Sequence, residues 1–212
     1  MDQFSSHRLD DGISINAKTT AVLVVDMLHD FCLPGGAMVL PGYEALVGPQ
    51  NEVIRAVREA GGVVVFIADT HRPQSRRERE FLKRTPHCIE GTAGPSIIPE
   101  LDQAADDIHV VKRRYSGFFN TDLDLTLKDM LVDCVIVIGV VTNICVRSTV
   151  HDAFFQGYKV IVPQDCCAAT GPREQISTLY DISTHFGTVT DSTAILHALK
   201  TGAKIDNIEI PA

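Results

Sequence analysis

Three side chains of complementary chemistry stand where apolar runs of the sequence stop: the carboxylate of Asp26, the ammonium of Lys112 and the thiol of Cys145. Cys145 follows the run CVIVIGVV (134–141) and a short TN turn, and falls in the first turn of a predicted helix over 143–156. The partial positive charge of a helix N-terminus lowers a thiol pKa, and the thiolate is the nucleophilic form. Unpaired backbone N–H groups in such a turn are also suited to holding an oxyanion. The competing reading of a free cysteine is a small core residue. It is the reading we adopt for Cys32, Cys88 and Cys134, while the adjacent Cys166 and Cys167 read as packing. Lys112 closes a buried apolar run, and a buried ammonium requires a carboxylate nearby. Asp26 is suited to that place. In such a cluster Asp26 takes the thiol proton and returns it to a leaving amine, while Lys112 keeps Asp26 ionised. That is acyl-transfer chemistry on a small amide, without a catalytic histidine.

A second constellation lies within nineteen positions: Asp69, His71, Glu80 and His87. Two imidazoles and two carboxylates suit a divalent cation, with Zn, Fe or Mn all compatible with nitrogen and oxygen donors. Taken one at a time, each also reads as a surface histidine or a loop ion pair.

The elements that position these groups follow from hydrophobic pattern. Five runs, at 21–26, 63–69, 108–112, 134–141 and 159–163, are nearly continuous in apolar residues, as strands buried on both faces of a parallel sheet are. Helical spacing marks 50–60, stopped by Gly61-Gly62, then 143–156, 173–186 and 192–200. Strand alternating with helix predicts a parallel sheet with helices on both faces. Ligands of such sheets bind beyond the carboxyl ends of the strands, where Asp26, Asp69, Lys112 and Cys145 all fall. The stretch 70–98 lacks periodicity, and a loop that long is usually functional.

The whole chain, 1–212, reads as one domain, within the size at which a single core still grows. A net charge of −8, with basic residues clustered only at Arg76-Arg77 and Lys112-Arg113-Arg114, predicts no nucleic-acid partner. We read the Arg113-Arg114 pair as lining a solvent face rather than selecting an acidic substrate. No apolar run approaches the ~20 residues of a membrane span. The first twenty residues lack the basic start and apolar centre of a signal peptide. Six scattered cysteines with no CxxC pair read as reduced thiols of a cytoplasmic enzyme.

Taken together, VVDMLHDF (24–31), DTHRP (69–73), TPHCIEGTAG (85–94), VKRRYSGFFNTDLD (111–124) and GVVTNICVRSTVHDAF (139–154) resemble the isochorismatase-like cysteine hydrolases, and among them the nicotinamidases most closely. The last fragment is the most specific, because the family nucleophile sits in such a Gly-x-x-Thr-x-x-Cys turn. The resemblance spans residues 20–199. It implies a three-layer α/β/α fold with a mainly parallel, doubly wound sheet, and Asp26, Lys112 and Cys145 as triad. It further implies a cis peptide at Val140–Val141, with the Val141 and Cys145 N–H groups as oxyanion hole. A divalent metal, Zn before Fe or Mn, is implied on Asp69, His71 and His87, with Glu80 at the position of an added ligand. Phe31 and Tyr115 match the aromatic positions that sandwich the substrate ring. A homo-oligomer is expected on the same ground.

Two departures loosen the substrate assignment: Thr70 stands where nicotinamidases often carry Trp, and Asn143 where many carry Asp. The expected activity is hydrolysis of nicotinamide to nicotinate and ammonia through a thioester. The alternative substrates are other small amides or carbamoyl compounds, such as a carbamoyl amino acid, maleamate or a ureido compound. A binding protein that merely keeps the fold is the reading of a different class, and the complete triad argues against it.

Overall fold

The computed structural model describes residues 12–210; residues 1–11, part of the stretch read against a signal peptide, lie outside it. The chain forms β1 (Thr20–Val25), α1 (His29–Cys32), α2 (Glu44–Glu59), β2 (Val63–Asp69) and β3 (Ile108–Lys112). There follow α3 (Leu123–Asp129), β4 (Cys134–Val140), α4 (Arg147–Phe155), β5 (Lys159–Pro163) and β6 (Cys167–Ala168). The chain continues through α5 (Pro172–Asp181), β7 (Thr188–Thr190) and α6 (Ser192–Thr201). The strands lie in the order β3-β2-β1-β4-β5-β7, with β6 beside the end of β4. Every pairing is parallel. The sheet is the centre of a three-layer α/β/α sandwich, wound outward in both directions from β1 and β4.

The apolar runs form these strands because both faces are covered. All six residues of β1 and all seven of β4 are buried. Each fully buried Val, Leu or Ile side chain contributes about 1.5–3 kcal/mol relative to exposure. Helix α2 packs on α6 and against β1 and β2, directing Leu46, Val53, Ile54 and Val57 inward.

Several boundaries differ from the sequence reading. Helix α2 starts at Glu44 rather than at residue 50 and runs through Pro49, the added first turns held by the buried Leu46. Strand β1 stops at Val25, and Asp26 takes a left-handed conformation with φ 55°. The predicted helix over 143–156 divides into a π-helical turn, Thr142–Val146, and α4. The one over 173–186 divides likewise into α5 and a π-helical turn, Ile182–Phe186. Among the described residues, no helix is long and apolar enough to cross a membrane.

Candidate active site and metal cluster

Strand register brings the charged groups to one height. Asp69 of β2 pairs with Lys112 of β3, and Val25 of β1 pairs with Ile67 of β2. Asp26 continues β1 by one residue, its N–H donating to the Ile67 carbonyl at 2.9 Å. Its turned backbone aims the carboxylate back across β2, where Oδ1 accepts the Asp69 N–H at 2.9 Å. Lys112 Nζ lies 2.8 Å from Asp26 Oδ2 and 3.6 Å from Asp69 Oδ1. Both Lys112 and Asp26 are completely buried. From the other side of β1, the turn after β4 delivers Cys145, whose Sγ stands 3.8 Å from Lys112 Nζ. Thus the structure brings together the three side chains that the sequence singled out.

Their electrostatics follow from burial. Desolvation pushes Asp26 above the usual carboxylate range, opposed by Lys112 and reinforced by Asp69. Burial alone would strip the proton from Lys112, but Asp26, Cys145 and Asp69 outweigh it and hold the ammonium charged. The Cys145 thiol is raised well above its ordinary value, by burial first and by Asp26 and Asp69 against the pull of Lys112. This corrects the expectation of a thiol lowered by a helix N-terminus. Cys145 sits inside the π-helical turn, two residues ahead of α4, and its burial outweighs the pull of Lys112. Its proton is therefore held at rest and must move to a neighbouring base before attack. The Val140–Val141 peptide bond is cis.

A cavity of about 230 Å³ opens over Cys145. That is below the ~300–1,000 Å³ usual for drug-sized ligands, so it suits a small one. Val140, Val141, Phe31 and Tyr115 line it, together with Asp69, Glu80 and His87. Sequence reasoning missed Arg84 and Thr170, which line it as well. Thr170 is tied to Asn143 by two hydrogen bonds of 3.1 Å, which gives that departure from Asp a bridging role at the cavity wall. The Thr149 hydroxyl donates to the Cys145 carbonyl at 2.8 Å and accepts the Gly117 N–H at 3.0 Å.

Asp69, His71, Glu80 and His87 come together at the same cavity. All four are buried, and one donor atom from each lies within 4.8 Å of the others. His71 Nε2 is 3.1 Å and His87 Nε2 3.4 Å from Asp69 Oδ2, and both are 3.9 Å from Glu80 Oε2. Burial and then Asp69 push the Glu80 carboxyl up to about 6. Burial works against ionised Asp69 too, but Lys112 and the two imidazoles hold it well below the usual carboxylate range. Asp69 Oδ1 and Glu80 Oε1 have no hydrogen-bond partner among the described residues. Two buried carboxylates with unsatisfied oxygens, facing two imidazole nitrogens, form a donor set that fits a divalent cation.

Behind this cluster sits Glu78, also missed. Its Oε2 faces His71 Nδ1 at 3.3 Å and its Oε1 accepts from Arg114 at 2.9 Å. Arg113 donates to the Thr70 carbonyl at 2.7 Å. The basic pair expected to line a solvent face is thus committed to the loop that carries the cluster. Only its local pattern could have shown this: in RREREF, Glu78 and Glu80 alternate with basic residues and face inward.

A parallel α/β/α sandwich with a thiol, a carboxylate and an ammonium meeting at the carboxyl ends of its strands defines the class of protein. Residues 20–194 match the Isochorismatase domain, and the chain belongs to the isochorismatase family. It is 30% identical to the ureidoacrylate amidohydrolase RutB of Yersinia enterocolitica, over 91% of this chain and 94% of that protein. Among solved structures, an isochorismatase-like hydrolase from Alkaliphilus metalliredigens superposes with a TM-score of 0.79 at 37% identity, covering 85% of this chain and 98% of that one. A pyrazinamidase from Pyrococcus horikoshii, solved in complex with zinc, gives 0.76 at 29% identity, over 82% and 99%.

Proposed function

We propose that the protein is a cysteine-dependent amidohydrolase of small carboxamides, with nicotinamide as the leading substrate. The observation that carries this is the buried contact of Lys112 with Asp26 and Cys145 at the floor of a small cavity. In this reading Cys145 Sγ attacks the amide carbon as its proton passes to Asp26. The Val141 and Cys145 N–H groups receive the oxyanion, a contribution of about 3–4 kcal/mol to the barrier. Asp26 then delivers the proton to the leaving nitrogen, the C–N bond breaks, and ammonia departs from a thioester. Water that gives its proton to Asp26 attacks the thioester carbon, releasing the acid and restoring the thiol. Proton transfer of this kind is worth about 10²–10⁴ in rate. Lys112 holds Asp26 in place and opposes the negative charge that develops on it.

Asp69, His71, Glu80 and His87 are the residues that would hold a divalent ion, Zn before Fe or Mn. When bound, such an ion supplies a Lewis-acid contact for a lone pair on the substrate, such as a ring nitrogen. In this reading Phe31 and Tyr115, both at the cavity wall, flank the ring. The six unpaired cysteines support a reducing compartment such as the cytoplasm. A homo-oligomer remains part of this reading, to be checked by light scattering.

A second substrate class, the carbamoyl or ureido acids, is favoured by the 30% identity to a ureidoacrylate amidohydrolase. It is favoured too by Arg84 at the cavity wall, which takes part in no ion pair among the described residues. Ammonia release from nicotinamide and from a ureido acid, measured with Zn²⁺ supplied, separates the two readings. Turnover of either that survives Cys145→Ala would remove the mechanism altogether.

A further inference from the structure

We propose that Glu78, held by Arg114, is the positioning residue that presents His71 Nε2 to a divalent cation; this rests on the metal reading above. The segment from Arg72 to Arg84 carries six basic residues and two acidic ones. Arg72, Arg76, Arg77, Arg79, Lys83 and Arg84 are exposed, whereas the Glu78 and Glu80 side chains are only 8% and 5% accessible. Two acids turned inward from a basic strip have a task inside. Glu80 belongs to the donor cluster itself. Glu78 lies on the far side of His71, its Oε2 3.3 Å from Nδ1.

His71 is completely buried, its backbone is fixed in both directions to the Cys88–Glu90 segment, and the Phe81 ring packs on it at 4.8 Å. The ring therefore has carboxylates at both edges: Glu78 at 3.3 Å from Nδ1, close but outside hydrogen-bond geometry, and Asp69 with Glu80 at Nε2. A carboxylate accepts only, so with a cation between Asp69 and His71 it is Glu78 that draws the single N–H of a neutral imidazole to Nδ1 and leaves the Nε2 lone pair for the ion, whereas without one Asp69 Oδ2 at 3.1 Å competes for the same proton. At His87 the same polarity is set by backbone, since Nδ1 meets the Thr85 carbonyl at 2.7 Å. The two imidazoles thus present the same nitrogen through unrelated partners, and the partner of His71 is a side chain open to substitution. Arg114 fixes the other oxygen of Glu78 at 2.9 Å, and it leaves β3 two residues after Lys112. Glu78 is in this way tied to the strand that carries the triad ammonium.

Zn²⁺ affinity, measured against a chromogenic chelator in the parent protein, Glu78→Gln and Arg114→Gln, tests this. Loss of such a carboxylate costs about 10–100-fold in metal affinity. The expected result is a rise of that size in the Zn²⁺ dissociation constant of Glu78→Gln, a smaller rise in Arg114→Gln, and an unchanged metal-free melting temperature in both. The rate of Cys145 alkylation in the metal-free protein should also stay at the parental value, because the triad is intact. Parental affinity in Glu78→Gln would overturn the proposal. So would a lowered metal-free melting temperature that accounts for the loss, since Glu78 would then only brace the loop. A parent protein that fails to bind Zn²⁺ would instead overturn the metal reading itself.

Discussion

Replacing Lys112 with methionine removes the ammonium and keeps most of the side-chain volume. What remains is a pair of buried carboxylates, Asp26 and Asp69, that have lost the cation at 2.8 Å and 3.6 Å. At an effective dielectric of about 20, those contacts have gross Coulomb energies of about 6 and 5 kcal/mol. The variant also escapes the cost of burying the ammonium, so the net loss is smaller. Breaking a buried ion pair from one side costs about 3–5 kcal/mol. For a chain of this size each kcal/mol moves the melting temperature by about 2–4 °C. Lys112→Met is therefore expected to melt about 10 °C lower in calorimetry with chelator present. The double variant Lys112→Met/Asp26→Asn removes a charge on each side and is expected to recover stability, giving a coupling of about 1–3 kcal/mol in the double-mutant cycle. Losses for the two single variants that simply add, within about 0.5 kcal/mol, would refute the picture of one shared buried ion pair.

Three further expectations concern other parts of the chain. Iodoacetamide on the folded protein should modify Cys145 alone, because it opens on the cavity while the other five cysteines are at most 3% accessible. Peptide mapping that found Cys32 or Cys134 labelled as fast would contradict this. Gly139→Ala should cost at least about 3 kcal/mol, because Gly139 has φ 118° and an added Cβ would press on the Val25 carbonyl of the neighbouring strand; a near-parental urea midpoint would show that β1 and β4 can separate freely. Leu131→Gly should stabilise by about 0.5–1 kcal/mol, since Leu131 is 77% exposed and held at φ 58°, and a lowered midpoint would be evidence against left-handed strain there.

What the sequence disclosed and what it withheld divide along physical lines. The five long strands were legible because burial on both faces leaves an uninterrupted apolar run, as in AVLVV and CVIVIGV. Strands β6 and β7, with two and three residues, are too short to carry a pattern and exist because neighbours already present offer a free edge. Asp26, Lys112 and Cys145 were legible because a charge or a thiol closing an apolar run stands out. Glu78 was not, because its role depends on which way one acid in RREREF turns, and only the fold of 70–98 around His71 decides that. The resting state of Cys145 was misjudged for a related reason. Sequence placed the thiol near a helix start, but its complete burial, which only the fold decides, outweighs any favourable charge around it.

Parallel register explains why the cation had to be a lysine on β3 rather than a nearer residue on β2. Neighbouring strands lie about 4.8 Å apart, so β3 and β1 are separated by two such spacings with β2 between them. Asp69, on β2 and in register with Lys112, occupies the intervening position and belongs to the donor set of the proposed cation site. A positive group in its place would repel the divalent ion that Asp69, His71, Glu80 and His87 fit. The four-carbon stem of lysine carries the charge over β2, touching Asp69 at 3.6 Å on the way to Asp26 at 2.8 Å. One ammonium thereby compensates a carboxylate of the proposed acyl-transfer site and a carboxylate of the proposed cation site. The two sites share an electrostatic balance as well as a cavity, and charge lost from either one is felt at the other.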